Sequence, residues 1–299
     1  NPVPYLDILL PVGLSFHTFQ AMSYTIEVYR GNQKAEQNFG IYALYVMFYP
    51  QLVAGPIERP QNVLHQFYEK HTFDYKNVTD GLKLMAWGLF KKVVIADRLV
   101  QGVNFVYDRP QEHQGLPLII STIFFAFQIY CDFSGYSDIA LGSAQVMGFK
   151  LMKNFDRPYF SKSISEFWKR WHISLSTWFR DYLYISLGGN RVSVSRWYFN
   201  LFITFMVSGI WHGANWTFII WGALHGTYLV MAIVTQDIRT KVNQAIGILR
   251  SPSLLKITQI ITTFILADIA WVFFRAKNLS DALYIISHFF TGWQENIQD

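Results

Sequence analysis

One histidine in this 299-residue chain stands where an imidazole could do chemistry. His212 lies near the centre of forty consecutive residues, 197–236, that contain no Asp, Glu, Lys or Arg. An ionisable side chain is costly to place in so apolar a stretch, and its presence there indicates function. Because the unperturbed pKa of an imidazole is ~6.5, a neutral His212 could act as a general base. The alternative is an imidazole that bonds to a backbone carbonyl and serves only helix packing.

The other histidines give weaker indications of chemistry. His225 follows His212 by thirteen residues, about 19 Å along a single helix, which is too far for the two to share a metal ion. We expect His225 to contribute less to chemistry than His212. A surface or core role is expected for five more: His17, His65, His71, His113 and His288.

No spacing in the sequence predicts a metal ion, a phosphate-binding loop or a serine hydrolase. Zinc-type Cys and His pairs do not occur, nor do the glycine-rich phosphate loops or the G-x-S-x-G elbow. We therefore expect no metal site and no tightly bound cofactor. Asp132 and Asp138 could form an acid and base pair. They flank a Ser/Gly stretch, however, and are better explained as caps where a helix is interrupted.

The positive charge is concentrated in residues 150–196, which hold nine basic residues against three acidic ones in a chain of net charge +5. Such segments stay in the cytoplasm. The chain is basic again beyond residue 237, so the 197–236 stretch is predicted to be a hairpin that turns near residue 216. Strict alternation of spans then places Arg275 and Lys277 outside, against the usual charge rule. The tryptophans interleaved in 150–196 favour lipid or a phosphorylated ligand over nucleic acid.

A single helix is predicted over residues 163–183. Ser163 and Glu166 form a capping box at its start. An apolar stripe follows at spacings of three and four residues: Trp168, Trp171, Leu175, Trp178 and Tyr182. Such a stripe is typical both of a helix in the membrane interface and of a core helix, and periodicity does not decide between them.

Apolar windows predict an all-α, polytopic integral membrane protein. Besides 197–236, charge-free stretches cover 8–26, 37–57 and 113–131, and a membrane-spanning helix needs about 20 apolar residues. Aromatic residues form 18% of the chain and charged residues 15%, which excludes a disordered protein. Breaks at membrane depth survive only inside protein or beside a wet cavity. We therefore expect broken and interfacial helices around a central chamber.

The predicted helices cover 5–26, 38–55, 80–100, 115–149 with an interruption at 132–138, 163–183, 197–214, 216–236, 257–275 and the amphipathic 279–291. No linker divides the chain, so residues 1–299 are expected to form a single membrane-embedded domain. Since the chain opens without Met, we expect it to be an internal portion of a longer polypeptide.

Two long runs carry a family resemblance: EFWKRWHISLSTWFRDYLY at 166–184 and GIWHGANW at 209–216. Shorter matches lie at 188–191, 132–138, 11–17 and 52–57. Together they resemble the membrane-bound O-acyltransferase family, and within it the bacterial branch that contains the alginate O-acetyltransferase membrane subunit and the teichoic-acid D-alanyl transfer protein. The resemblance covers nearly the whole chain.

The resemblance implies acyl transfer. The family's invariant histidine, in its Trp-His-Gly motif, corresponds to His212, and a second polar position, in its Arg-Trp-His motif, corresponds to His172. An acetyl group is expected to move from a cytoplasmic thioester donor, acetyl-CoA, towards an extracytoplasmic polysaccharide such as alginate or a related cell-surface glycan, directly or through a partner protein. Lys169 and Arg170 are the candidates for attracting the donor's phosphates. The expected location is the inner membrane of a bacterial cell, in contact with the lipid bilayer.

Three other functions stay open at this point. Transfer of D-alanine from a carrier protein to teichoic acid is the alternative within the enzyme class. A transporter or flippase would also place broken helices around a midplane site. A non-catalytic scaffold for a secretion complex would need neither histidine.

Overall fold

The structure is a computed structural model that describes residues 14–52 and 55–292. Within those residues the regular structure is helical, with no β-strand. The α-helices are α1 (Leu14–Tyr29), α2 (Phe39–Val46), α3 (Pro60–Val63), α4 (Tyr75–Leu89), α5 (Asp97–Tyr107), α6 (Leu116–Val146), α7 (Ile164–Arg170), α8 (Ile173–Phe179), α9 (Val194–His212), α10 (Trp216–Val234), α11 (Gln236–Ala245), α12 (Pro252–Arg275) and α13 (Leu279–Ser287). Two π-helical segments, Phe90–Ala96 and Arg180–Tyr184, follow α4 and α8.

Three of the described helices, α6, α10 and α12, are long and apolar enough to cross a membrane. This confirms the predicted all-α membrane protein. The helix predicted over 38–55 is much shorter, because α2 begins after its cap at Asn38 and ends at Val46. Pro50 then lies in a separate 3₁₀ turn, Tyr49–Gln51. Of the helix predicted over 5–26, residues 5–13 lie outside the described residues.

The chain forms two compact units, and α6 contributes to both of them. Among the described residues, one unit comprises 14–52, 55–89 and 135–153, and the other comprises 90–134 and 154–292. In the first unit, α4 crosses the second half of α6 at glycines. A Cβ added at Gly81, Gly88 or Gly142 would lie within 2.6 Å of a backbone oxygen of the facing helix. The absence of side chains therefore allows the two backbones to touch, as in membrane helix pairs.

The predicted interruption at 132–138 is wrong, because α6 continues through it without a break. Neither Asp132 nor Asp138 caps a helix end. The Asp132 carboxylate instead lies 2.8 Å from Lys92 Nζ, which is also 2.8 Å from the carboxylate of Asp97. The glycine of this stretch, Gly135, serves the crossing with α4, since its carbonyl is the oxygen that a Cβ at position 88 would meet.

The single helix predicted over 163–183 is also wrong, because the chain breaks between α7 and α8. His172 has φ 43°, in the left-handed region. The break is held by backbone pairing with a distant loop: the Ile173 N–H donates to the Asn154 carbonyl at 2.9 Å, and the Asp156 N–H donates to the Arg170 carbonyl at 2.9 Å. These bonds replace the helical bonds that residues 170–174 would otherwise make.

The start of this region follows the prediction. The Ser163 hydroxyl accepts the Glu166 N–H at 3.1 Å, as a capping residue should. The Glu166 carboxylate accepts the Lys162 N–H at 2.8 Å, one residue before the cap position. All five members of the apolar stripe, Trp168, Trp171, Leu175, Trp178 and Tyr182, are buried inside the protein. The core interpretation of the stripe is therefore correct, and the interfacial one is not.

Helices α9 and α10 form the predicted hairpin, with its turn at 213–215. The Asn215 side chain accepts the Thr217 N–H at 3.2 Å and so caps α10. A Cβ at Gly209 or Gly222 would collide with a carbonyl oxygen of the opposite helix. The two glycines thus bring the backbones of α9 and α10 into direct contact.

The end of α12 lies beside the turn of this hairpin. The Asn215 amide donates to the Lys277 carbonyl at 3.2 Å. Arg275 donates to Asn104 at 2.6 Å, and Lys277 forms an ion pair with Asp108 at 2.9 Å. Arg275 and Lys277 therefore lie at the end of the hairpin that is opposite residues 197 and 236. This is the placement that alternation of the spans requires.

Candidate active site

His212 is the last residue of α9 and stands where three helices meet. Its imidazole is half-buried. The ring centroid lies 5.0 Å from that of Trp221 on α10 and 5.2 Å from that of Phe274 on α12. The helix ends directly after it, at Gly213, where a Cβ would approach the Phe218 ring to 2.8 Å. His212 is thus held by aromatic contacts at the turn of the hairpin.

His172 is brought to the same site from the break between α7 and α8. Its side chain is 3% exposed, and the edge of its ring meets Phe133 at a centroid distance of 4.6 Å. Burial lowers the pKa of His172 well below its ordinary value, and the imidazole of His212 is near enough to lower it further. The fold therefore brings together two histidines that are forty residues apart in sequence. The left-handed backbone at His172 costs of order 1–3 kcal/mol, and such strain is typical of functional sites.

His225 lies inside the protein, on α10. The side chain is fully buried, and its Nδ1 accepts a hydrogen bond from Trp168 Nε1 at 3.2 Å. Its ring also lies 5.1 Å from that of Trp221. The signal that could have found it is spacing, because His225 is one turn after Trp221 on α10 and shares its face.

Four buried indoles, which we call the tryptophan cluster, connect these histidines: Trp168, Trp171, Trp221 and Trp271. Trp271 on α12 lies 4.9 Å from Trp171 and stacks on Trp221 at 6.1 Å, measured between ring centroids. Aromatic pairs at these separations are each worth about 0.5–1.5 kcal/mol beyond the burial of their area. The cluster joins α7, α10 and α12 and fixes the region next to His172.

Asp268 on α12 was missed by the sequence reasoning. It is the one acidic residue between Lys256 and Arg275, and it stands one turn before Trp271. Its Oδ1 atom is buried, and no described residue donates a hydrogen bond to it. A lone carboxyl in an apolar helix was the signal that should have marked it.

Lys169 and Arg170 lie at the end of α7, between two members of the tryptophan cluster, Trp168 and Trp171. Lys169 is exposed, and Arg170 forms an ion pair with Glu166 at 2.6 Å. The guanidinium is therefore already held by a carboxylate within its own helix. Across residues 14–52 and 55–292, no group of three or more His, Cys, Asp or Glu side chains is placed to hold a metal ion.

Residues 37–245 match the family model for the membrane-bound O-acyltransferases. The chain belongs to this family. The match includes both long sequence runs and the two histidines that the structure brings together. It ends before α12, which completes the aromatic surroundings of His212.

Three relatives illustrate the range of the family. The chain is 44% identical over 297 residues to the "Probable alginate O-acetylase AlgI" of Pseudomonas aeruginosa, covering 98% of this chain and 54% of that protein. It is 38% identical over 307 residues to the "Peptidoglycan O-acetyltransferase" of Helicobacter pylori, covering 94% and 57%. It is 32% identical over 241 residues to the "Teichoic acid D-alanyltransferase" of Streptococcus thermophilus, covering 74% and 56%. The chain thus spans about half the length of these relatives.

Proposed function

We propose that the protein containing this chain is a membrane O-acetyltransferase. It moves acetyl from a cytoplasmic thioester donor, acetyl-CoA, towards an extracytoplasmic polysaccharide such as alginate or a related cell-surface glycan. The observation that supports this most is the meeting of His212 and His172, from two separate family motifs, beside one aromatic cluster. The names of the relatives at 44% and 38% identity favour acetyl as the acyl group.

The reaction would use His212 as a general base. The acceptor hydroxyl, from a sugar or from a serine of a partner protein, loses its proton to His212 as its oxygen bonds to the thioester carbonyl carbon. The tetrahedral intermediate then collapses, the carbon–sulfur bond breaks, and the leaving thiolate takes the proton from His212. A positioned base of this kind is typically worth about 10²–10⁴-fold in rate.

The position of His212 along α9 suits a donor and an acceptor that arrive from opposite sides. It lies fifteen residues from Trp197 in one continuous helix, about 22 Å at 1.5 Å per residue. A hydrocarbon core of about 30 Å would place it beyond the midplane, towards the hairpin turn. Only the narrow acyl-bearing arm of the donor could reach that depth. We expect a cytoplasmic tunnel and an outward-facing cavity to meet at His212.

The remaining candidate residues would serve the donor. His172 would orient the thioester or support the charge on its oxygen. Lys169 and Arg170 would attract phosphates at the cytoplasmic mouth, with Lys169 the more available of the two because Glu166 holds Arg170. The protein would lie in the bacterial inner membrane and act with an extracytoplasmic partner protein.

The test is acetyl transfer by the full-length protein in membrane vesicles supplied with labelled acetyl-CoA. His212→Ala should reduce transfer by about 10²–10⁴-fold because the base is lost. His65→Ala is the matched control, since its ring is exposed and hydrogen-bonds only within its own turn. Near-normal transfer by His212→Ala in a folded protein would overturn the mechanism. Mass spectrometry of surface glycans, with and without the gene, identifies the acceptor.

D-alanyl transfer is the second candidate, supported by the 32% identity to the D-alanyltransferase of Streptococcus thermophilus. It requires a carrier protein as donor. Wild-type protein that consumes D-alanyl carrier and leaves acetyl-CoA untouched would establish this alternative. Protein that consumes neither thioester would favour a transporter or a scaffold.

A further inference from the structure

Two hydrogen-bond donors on α10 have no acceptor among the described residues. They are the indole Nε1 of Trp221 and the imidazole Nε2 of His225. Trp221 is 1% exposed and His225 is 0% exposed. A buried N–H without an acceptor costs about 1–3 kcal/mol, and native structures rarely leave one unless a ligand or a water completes it. Because the two residues are four apart, both donors belong to one face of α10.

The fold determines which nitrogen of His225 is the donor. An indole N–H can only donate, and the bond from Trp168 Nε1 ends on His225 Nδ1. Nδ1 is therefore the acceptor, and a neutral His225 carries its hydrogen on Nε2. The bond from Trp168 thus keeps the hydrogen of His225 on Nε2, and no described residue accepts it there.

Trp221 lies between the two imidazoles of the hairpin. Its ring centroid is 5.0 Å from that of His212 and 5.1 Å from that of His225, with interplanar angles of 87° and 74°. The backbone contact between Gly209 and Gly222 holds α9 and α10 together at this level. Trp221 is therefore in direct ring contact both with the residue proposed as the base and with His225, which carries the second unused donor.

The residues around His225 indicate what kind of hydrogen-bond acceptor suits the two donors. The rings nearest His225 are aromatic and uncharged: Phe167, Trp168, Phe205, Trp221 and Tyr228. A phosphate or another permanent ion would be poorly solvated among them. A carbonyl oxygen is neutral when it binds and gains negative charge only during reaction, and two N–H donors suit it in both states.

We infer that Trp221 Nε1 and His225 Nε2 bind the carbonyl oxygen of the acyl thioester and stabilise the oxyanion formed from it. As the acceptor oxygen bonds to the carbonyl carbon, the electron pair of the C=O double bond moves onto the carbonyl oxygen. The proton of the acceptor hydroxyl passes to His212. When the carbonyl re-forms, the pair returns and the thiolate leaves. The two donors keep their hydrogens throughout. This assignment rests on the proposed function and adds to it the residues that hold the donor's reacting group.

Two substitutions of His225 separate this role from a structural one. In His225→Asn the amide oxygen can occupy the place of Nδ1, which keeps the bond from Trp168 but removes the Nε2 donor. In His225→Gln the amide nitrogen can reach the place of Nε2, which keeps the donor. Trp221→Phe removes the other N–H and keeps a ring. Trp197→Phe is the control, because it makes the same change fifteen residues from His212.

The experiment measures kcat and KM with acetyl-CoA for these variants of the full-length protein in vesicles. Loss of one oxyanion donor should lower kcat about 10²–10³-fold in His225→Asn and in Trp221→Phe, with KM little changed. His225→Gln and Trp197→Phe should stay within about tenfold of wild type. The infrared carbonyl stretch of bound acetyl-CoA should shift towards the free-thioester frequency in His225→Asn.

Several results with these variants would contradict the assignment of Trp221 and His225. An active Asn variant beside an inactive Gln variant would show that only the Trp168 bond matters, and would overturn the inference. Normal kcat in both Trp221→Phe and His225→Asn would overturn it too, because the donors then bond only to water. If Trp221→Phe does not fold, the two His225 variants decide alone. Wild-type protein that turns over no thioester refutes the proposed function itself, and the assignment falls with it.

Discussion

The ionisation of Glu58 should lower the stability of this protein as the pH rises towards 7. Its side chain is fully buried. One carboxylate oxygen accepts the Met152 N–H, and the other accepts the Asn62 amide at 3.3 Å. Burial raises the pKa of Glu58 from 4.5 to about 7, although both hydrogen bonds oppose the rise. The folded protein therefore prefers the protonated carboxyl.

The sign and size of the effect follow from linkage. A carboxyl whose pKa is raised on folding stabilises the fold most fully below its unfolded pKa, and this contribution is lost as the pH rises through the folded value. For Glu58 the loss extends from about pH 4.5 to about pH 7. That interval corresponds to roughly 3 kcal/mol, at 1.36 kcal/mol for each pH unit.

The assay is thermal unfolding of the full-length protein in detergent between pH 5 and pH 8. Glu58→Gln keeps an oxygen for the Met152 N–H and cannot ionise. It should exceed wild type by only about 1 kcal/mol at pH 5 and by up to about 3 kcal/mol near pH 8. Glu69→Gln is the control, since the Glu69 side chain is exposed and only pairs loosely with His65 at 3.8 Å. Parallel stability curves for wild type and Glu58→Gln across this range would refute the reasoning.

Two further predictions concern the orientation and the packing of the hairpin. An impermeant thiol reagent should label Ala214→Cys in intact cells and Ser193→Cys only after permeabilisation, because residues 150–196 are predicted to be cytoplasmic; outside labelling at 193 would reverse the orientation. Gly222→Ala should cost about 1–3 kcal/mol and lower acetyl transfer, since its Cβ meets a backbone carbonyl of α9. Gly102→Ala is the matched helical control, as its Cβ would lie 3.4 Å from Phe124, an ordinary contact. Equal unfolding temperatures for the two variants would show that the hairpin backbones are not in contact.

Local signals predicted those parts of the fold whose causes are local. The charge-free stretch 197–236 predicted the hairpin. Its turn is fixed locally, since the Asn215 side chain caps α10. Ser163 likewise starts α7 through a bond to Glu166, three residues away. The family motifs led to His172 and His212, which the fold places near enough for their imidazoles to interact electrostatically.

The wrong predictions for 163–183 and 132–138 have their causes in residues far away in the sequence. The break at His172 depends on backbone bonds in which the Asn154 carbonyl accepts the Ile173 N–H and the Asp156 N–H donates to the Arg170 carbonyl, and no helical periodicity can reveal them. The 132–138 stretch looked like a break because serine and glycine are poor helix formers. In the fold, Gly135 permits a helix crossing and Lys92 neutralises Asp132. The hydrogen bond that fixes the His225 ring comes from Trp168, 57 residues away, and no local pattern could predict it.

The ion pair between Lys277 and Asp108 bears on how the chain enters the membrane. With the hairpin turn outside, the end of α12 must carry Arg275 and Lys277 outward against a membrane potential that is negative inside, at roughly 2.3 kcal/mol per charge for each 100 mV. Asp108 lies in a segment that is synthesised before α12, and its ion pair with Lys277 places it on the same side as the end of α12. The hydrogen bond from Lys277 lowers the pKa of Asp108 below its ordinary value, so the carboxylate stays charged to receive it. If the hairpin turn lies outside, as predicted, Asp108 supplies a countercharge on the outer side that is synthesised before α12, and the pair favours retention of the translocated end of α12.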